Sequence, residues 1–392
     1  MSRTTALVLA SLAFATNALA GPLTPPAGPV TSTMKTMTEV EPRIAINATN
    51  TPGNASALYV ISQPGSYYLT GNIVGVAGKH GIVIGNVIDV TIDLNGFRLV
   101  GVAGSLDGVS GVSNGVNVTV RNGIINSWGQ DGIDLAGTRG GQIENVTAYN
   151  NGIAGIKAGA AYSVSHCSAN NNASAGISTG ETTTVSNCTA HSNTGNGIAT
   201  GSTNTITDCT ARSNGLNGIA TSTTNTISGC TAENNTQSGI LTNFSSTVTD
   251  CTAASNDNRG ITVEAFSTVR NCTVRANGID GIACTNSCLI VGNLATSNGV
   301  AGTNGAGIFA SSSDNRIEGN SCNQNDFGIQ ALSTGSIIMK NTCSGNTTFN
   351  WTIAAGNAVG PIVQATTNAG IINGNTYAGS LGSTDTNANF TY

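Results

Sequence analysis

Residues 184–204 read TVSNCTAHSNTGNGIATGSTN, and residues 205–225 read TITDCTARSNGLNGIATSTTN. Laid one over the other, they put Cys188 on Cys209, Asn193 on Asn214, Val185 on Ile206 and Gly197-Ile198 on Gly218-Ile219. The same frame extends outward in both directions. Its cysteine column is Cys167, Cys188, Cys209, Cys230, Cys251 and Cys272, and its asparagine column includes Asn172, Asn193, Asn214, Asn235, Asn256 and Asn277. Gly-Ile recurs from Gly155-Ile156 to Gly281-Ile282 and resumes, after a short insertion, at Gly307-Ile308 and Gly328-Ile329. A unit of 21 residues cannot bury its own apolar side chains, so units of this length stack into a solenoid.

Nothing in the unit has a helical period. Three short apolar stretches, around Val185, Cys188 to Ala190 and Ile198, are separated by Asn, Ser, Thr and Gly. That pattern predicts an all-β chain, a parallel β-solenoid with one coil per repeat whose strands pair with their equivalents one coil away. Leucine-rich repeats have similar periods but need a leucine framework that this sequence lacks. Within Cys-Thr-Ala, alternation sends Cys and Ala inward and Thr outward. The Asn column is expected at a tight turn in left-handed geometry, its amides stacked from coil to coil. The glycine of each Gly-Ile pair is expected at a second corner with positive φ. About twelve coils at ~4.8 Å each predict a rod of about 58 Å.

Regularity fades at both ends. Gly81-Ile82, Gly108-Val109, Gly132-Ile133 and Gly155-Ile156 are spaced by 27, 24 and 23 residues, so the early coils carry loops, where solenoids place function. Residues 1–20, with Arg3, an apolar run from Ala6 to Ala15 and Ala18-Leu19-Ala20, read as a signal peptide. Residues 21–75, holding six of the eight prolines from Pro22 to Pro52, read as an N-terminal cap. The β-helix is expected over 76–350 and a C-terminal cap or tail over 351–392. The leader predicts a secreted, periplasmic or cell-surface protein, and no later stretch is long and apolar enough to span a membrane.

Charge is scarce and acidic. Charged residues make up 8% of the chain and the formal charge is −5, which argues against nucleic acid as a partner and leaves a surface of Thr, Ser, Asn and Gly. Ten cysteines in an exported chain would ordinarily suggest disulfides. Equivalent positions on adjacent parallel strands point the same way, however, so the column is read as buried free thiols. Cys322 and Cys343 form a second pair in the slot that Ala fills elsewhere. Cys284 and Cys288 lie outside the column and are the candidate disulfide. No cysteine or histidine cluster has the spacing of a metal site.

Val90-Thr91-Ile92-Asp93-Leu94-Asn95-Gly96-Phe97 and the repeating Asn-x-Cys-Thr-Ala…Asn…Gly-Ile unit resemble the right-handed parallel β-helix proteins of the pectate-lyase-like superfamily, over about residues 70 to 350. With its Pro-Gly-Ser-Tyr-Tyr-Leu opening, the chain is also similar to exported bacterial β-helix proteins of unknown role. The resemblance implies a right-handed single-stranded coil and a carbohydrate ligand, namely a polysaccharide or cell-envelope glycan. Its enzymes act on acidic polysaccharides, as lyases, hydrolases or epimerases, with calcium in the lyases and otherwise no cofactor. Their Asn-Thr-Asp, Asp-Asp, Gly-His-Gly and Asp-Pro-His-Asp motifs are missing here. Asp131-Gly132-Ile133-Asp134 is a partial echo, but Asp107 and Asp280 fill the same slot as Asp131, which reads as repeat grammar. Many such proteins are monomers.

The outward positions beside the cysteine column form a candidate face. His191, Arg212 and Glu233 fall in one column on successive coils, about 5 Å apart. Arg212 could hold a uronate carboxylate while His191 or Arg212 acts as base and Glu233 orients the guanidinium, the catalytic reading. Asp208 and Asp250, two coils apart at roughly 9.6 Å, join Arg275 and His166 as binding candidates. Three functions compete: an exported glycan-binding or cell-surface solenoid, ranked first; an enzyme of acidic polysaccharides, next; and an ice-binding face on the column Ser168, Thr189, Thr210, Thr231, Thr252 and Thr273, which the neighbouring charged column would disrupt.

Overall fold

The computed structural model describes residues 41–299, 304–365 and 383–392; the signal-peptide reading of residues 1–20 lies outside them. The described residues contain no helix. Strands from Ile44–Ala45 to Asn389–Thr391 pair in parallel with their counterparts one coil away, giving about 15 coils where the sequence suggested twelve. At ~4.8 Å per coil the rod is roughly 70 Å long. Paired strands extend on both sides of residues 76 and 350, because Ala57–Ile61 pairs with His80–Ile84 and Phe327–Ala331 pairs with Phe349–Ile353.

One coil explains the rest. Wall A is Ile177–Thr179, wall B is Thr184–Ser186 and wall C is Thr189–His191. Each wall has one inward position or two, filled by Ile177, Val185 and Ala190, all fully buried. A fully buried Ile or Val contributes about 1.5–3 kcal/mol relative to exposure. The walls meet at corners where one residue takes left-handed geometry: Thr182 at φ 56°, Asn187 at 52° and Ser192 at 56°.

The residue after each corner points inward and ties its coil to the next. Asn193 donates its backbone N–H to Asn214 Oδ1 at 3.1 Å and its amide to the same oxygen at 3.0 Å. The Asn column is thus a continuous buried amide ladder, as expected, but the left-handed residue is its predecessor: Ser192, Ser213 and Asn234 instead of Asn193, Asn214 and Asn235. The Cys column occupies the equivalent slot at another corner. Cys188 Sγ donates to the Ser186 carbonyl of its own coil at 3.2 Å and to the Val164 carbonyl of the coil before at 3.6 Å. Asparagine takes over that ladder at Asn293, whose Oδ1 accepts from the Cys272 N–H at 2.9 Å.

All ten cysteines are buried free thiols, so Cys284 and Cys288 are not bridged; Cys288 Sγ donates instead to the Glu264 carbonyl at 3.3 Å and the Asn286 carbonyl at 3.4 Å. Cys322 and Cys343 pair in register behind Ala295 on the inner face of wall C.

The Gly-Ile glycines do not have positive φ. They are required for space. A Cβ on Gly218 would lie 2.7 Å from Asn235 Nδ2 and 2.7 Å from the Gly239 carbonyl oxygen. The Asn ladder and the Gly column are therefore one packing unit, which is why the two columns keep step in the sequence.

Candidate functional site

Wall C brings the predicted column together. His191 is in register with Arg212, and Arg212 with Glu233; Ala254 and Arg275 follow on the next two coils. Arg212 and Arg275 are exposed, while His191 and Glu233 are half-buried. Among the described residues, Arg212 and Glu233 form no ion pair closer than 4.0 Å, and the His191 ring meets the Ser192 hydroxyl at 3.2 Å. His166, Asp208 and Asp250 are set differently. They occupy the left-handed corner before each cysteine, with φ of 53°, 53° and 55°, and so project from the edge between walls B and C. Gly229 fills that corner between the two aspartates.

A denser charge cluster lies on wall A in the early coils. Asp107, Asp131 and Asp280 fill the slot before Gly-Ile or Gly-Val and are 4%, 3% and 4% exposed. Each divides its carboxylate between two tasks. The inner oxygen caps the backbone of the next coil: Asp107 Oδ1 accepts from Asp131 N–H at 2.9 Å, Asp131 Oδ1 from Ala154 N–H at 2.7 Å, and Asp280 Oδ1 from Ala306 N–H at 2.9 Å. Its outer oxygen faces a basic group: Asp107 Oδ2 lies 3.1 Å from His80 Nδ1, Asp131 Oδ2 lies 3.8 Å from Lys157 Nζ, and Asp280 Oδ2 lies 2.9 Å from Arg259 Nε. Asp134 joins them, 3.7 Å from Lys157 Nζ.

Burial raises the carboxyl pKa of both Asp107 and Asp131; backbone N–H donation, His80 and Lys157 pull the other way without cancelling it. A carboxyl group held towards its protonated form beside an imidazole and an ammonium can carry a proton to or from a bound molecule. The sequence reading dismissed this slot as repeat grammar. The slot does carry a repeated structural role, the capping, while the outer oxygens of Asp107, Asp131 and Asp280 meet partners 27, 26 and 21 positions away, the first two on loosely spaced coils.

These residues do not fit calcium. Each buried aspartate commits one oxygen to a backbone N–H and turns the other towards a basic group, and among the described residues no three His, Cys, Asp or Glu side chains converge on a metal position.

The outward column of wall A links this cluster to the later coils. From Asp134 it runs in register through Lys157, Ser178, Ala199, Ala220, Leu241, Thr262 and Ala283 to Phe309. Mostly small side chains, interrupted by Leu241, thus floor the middle of the wall, with charged groups at one end and an aromatic ring at the other.

A family model described as "Right handed beta helix region" matches residues 56–206 and 178–305, more than half of the chain. Among curated proteins, no sequence relative matches. Solved structures do. The A-module of Azotobacter vinelandii mannuronan C-5 epimerase AlgE4 is 16% identical, with 81% of this chain and 88% of that one covered and a TM-score of 0.50. A double mutant of the periplasmic alginate epimerase AlgG is 12% identical, with 76% and 81% covered and a TM-score of 0.52. At these identities the likeness is one of fold. By its coil, its ladders and the family match, this chain belongs to the right-handed β-helix family.

Proposed function

We propose that this protein is an exported solenoid that binds a polysaccharide along wall A. The observation that carries the reading is the continuous outward column from Asp134 to Phe309, one side chain per coil and mostly small between its charged and aromatic ends, whose spacing of one coil rise suits a repeating linear ligand. The names of the two structural neighbours, a mannuronan epimerase and an alginate epimerase, support a polysaccharide as the ligand class. Charge then narrows the class. Three carboxylates, Asp107, Asp131 and Asp134, stand against one ammonium and one imidazole, so wall A disfavours a polyanion and favours neutral or amine-bearing sugars. Wall C has the opposite balance, with His191, Arg212 and Arg275 against Glu233, and is the competing position for a uronate polymer.

A specific observation favours a second reading, catalysis. The raised carboxyl pKa of Asp131 suits proton donation to a glycosidic oxygen, as in a glycoside hydrolase.

The deciding experiment is affinity electrophoresis of the purified protein in pectate, alginate, a neutral β-glucan and partly deacetylated chitin, with reducing ends and unsaturated products followed in parallel. Retardation by the neutral or amine-bearing polymers without turnover, weakened by Lys157→Ala and indifferent to Arg212→Ala, supports binding on wall A. Retardation by pectate or alginate that Arg212→Ala abolishes would move the ligand to wall C. Turnover lost in Asp131→Asn would establish the enzyme, and no retardation by any polymer would overturn the whole reading.

A further inference from the structure

Wall A has a pit over Ala283. In register, Ala283 is flanked by Thr262 one coil below and Phe309 one coil above, and the step from a methyl group to an aromatic ring leaves a cavity of about 230 Å³. Arg259 closes one side. Its guanidinium carbon lies 5.8 Å from the Phe309 ring centre, and its Nε donates to the buried Asp280 at 2.9 Å. The other side is a polar rim of Glu264, Thr285 and Ser311, with Thr285 Oγ1 donating to Glu264 Oε2 at 3.4 Å. The volume is below the ~300–1,000 Å³ typical of drug-sized ligands, a size for one ring.

We propose that this pit is a subsite for a single amino-sugar residue carrying a free ammonium group, an inference that rests on the polysaccharide-binding reading and specifies it. Three features argue together. The half-buried Phe309 ring offers an apolar plate against which the C–H face of a pyranose can pack. Arg259 is already neutralised by Asp280, so it holds the ring in place and leaves no free positive charge for a uronate. Glu264 forms no ion pair among the described residues, and it leaves the pit with one uncompensated negative charge next to two hydroxyl groups. An ammonium on the sugar would pair with that carboxylate through a charge-assisted hydrogen bond, while Thr285 and Ser311 would take its hydroxyls. The same arrangement rejects a carboxylate sugar by repulsion.

The test is isothermal titration of the purified protein with glucosamine hexamer, N-acetylglucosamine hexamer and oligogalacturonate of equal length. The wild type should bind the glucosamine hexamer at least ~10-fold more tightly than the acetylated one and show no heat with the uronate. Glu264→Gln, which keeps size and hydrogen bonding, should bring the two hexamers within a factor of about two of each other. Phe309→Ala should weaken both by about five-fold or more, and circular dichroism on each variant confirms that the coil is intact. If the wild type binds the hexamers but both variants bind as it does, the pit is not the subsite, although polysaccharide binding stands. Tighter binding of the uronate than of the glucosamine hexamer overturns the charge argument, and an absence of heat with every oligomer overturns the subsite together with the reading beneath it.

Discussion

Replacing Asn214 by alanine tests whether the amide ladder, rather than apolar burial alone, holds consecutive coils in register. Asn214 Oδ1 accepts from the Asn193 backbone N–H at 3.1 Å and from the Asn193 amide at 3.0 Å. Its own amide donates to the Ala190 carbonyl at 3.2 Å and to Asn235 Oδ1 at 2.9 Å. Truncation removes all four bonds. It also strands the Asn193 N–H, which has no water to turn to at 1% exposure. The stranded donor costs about 1–3 kcal/mol and the other lost bonds roughly 1 kcal/mol each at most, so a loss of about 3–5 kcal/mol is expected. The control is Cys209→Ala in the neighbouring ladder. Its sulfur makes only long contacts, 3.2 Å to the Thr207 carbonyl and 3.6 Å to the Val185 carbonyl, and about 1–2 kcal/mol covers the small void left behind. Urea denaturation gives the stabilities, and hydrogen exchange of the Asn193 amide reads the stranded donor directly. If Asn214→Ala cost no more than Cys209→Ala, with the Asn193 amide still protected, the ladder would not be what locks the register.

Three further outcomes follow from the same interior. Hydrogen bonding to the thiol of the preceding coil, together with burial, pushes Cys188, Cys209 and Cys230 up to about 12, so these three thiols should resist thiol reagents at pH 8 in the folded protein and react once it is unfolded. Because these folded values exceed the ordinary 9.0, their contribution to stability is fully present below pH 9 and is lost as pH rises towards 12; a flat thermal midpoint from pH 8 to 11.5 would contradict this. Gly218→Ala should destabilise by about 1–3 kcal/mol through overpacking, whereas alanine at the half-buried, outward Thr210 should cost under about 0.5 kcal/mol. Asp131→Asn should leave the thermal midpoint unchanged or raise it at pH 7, since Asn217 Oδ1 performs the same capping of a backbone N–H, at 3.1 Å to Ser238, with no charge to bury. A fall of several degrees would show that the Lys157 pair outweighs the burial penalty.

The sequence carried those features that every coil must repeat. Cys188, Ala190, Val185 and Asn193 face inward because a 21-residue turn leaves so few inward slots that each is under the same constraint in every coil, and a constraint repeated in register is visible as a column. What it misassigned was the reason for a column. Asn193 and Gly218 both suit left-handed backbone, so both were given it, yet the corner falls one residue earlier and any of Asn, Ser, His, Asp, Gly or Thr fills it. Corner residues vary because their side chains point to solvent. The glycines are fixed because a neighbouring coil's amide occupies the place of a Cβ.

The wall A cluster was hidden for the opposite reason. Asp107 and Asp131 share a slot that reads as repeat grammar, but His80 and Lys157 belong to no column of like residues and the coils that bring them to the aspartates differ in length, so no periodicity marks the pairing. The regular columns do define where to search, however. A solenoid satisfies its interior with repeats and leaves the outward slots unconstrained, so an outward or half-outward group that is buried, charged and matched to a partner one coil away departs from what the fold alone would supply. On wall C, Arg212 and Glu233 stand in adjacent outward slots and do not pair. On wall A, Asp131 and Lys157, and again Asp280 and Arg259, are buried carboxylates paired with half-exposed cations at opposite ends of a floor of mostly small side chains. Charges for solubility alone would be placed where solvation is cheapest, as on wall C. Carboxylates kept at 3–4% exposure despite the desolvation penalty need a compensating role, and capping a neighbouring coil accounts for only one oxygen of each. The second oxygen of each meets a half-exposed basic group, and it is these charge pairs beside the outward column that direct the proposal to wall A.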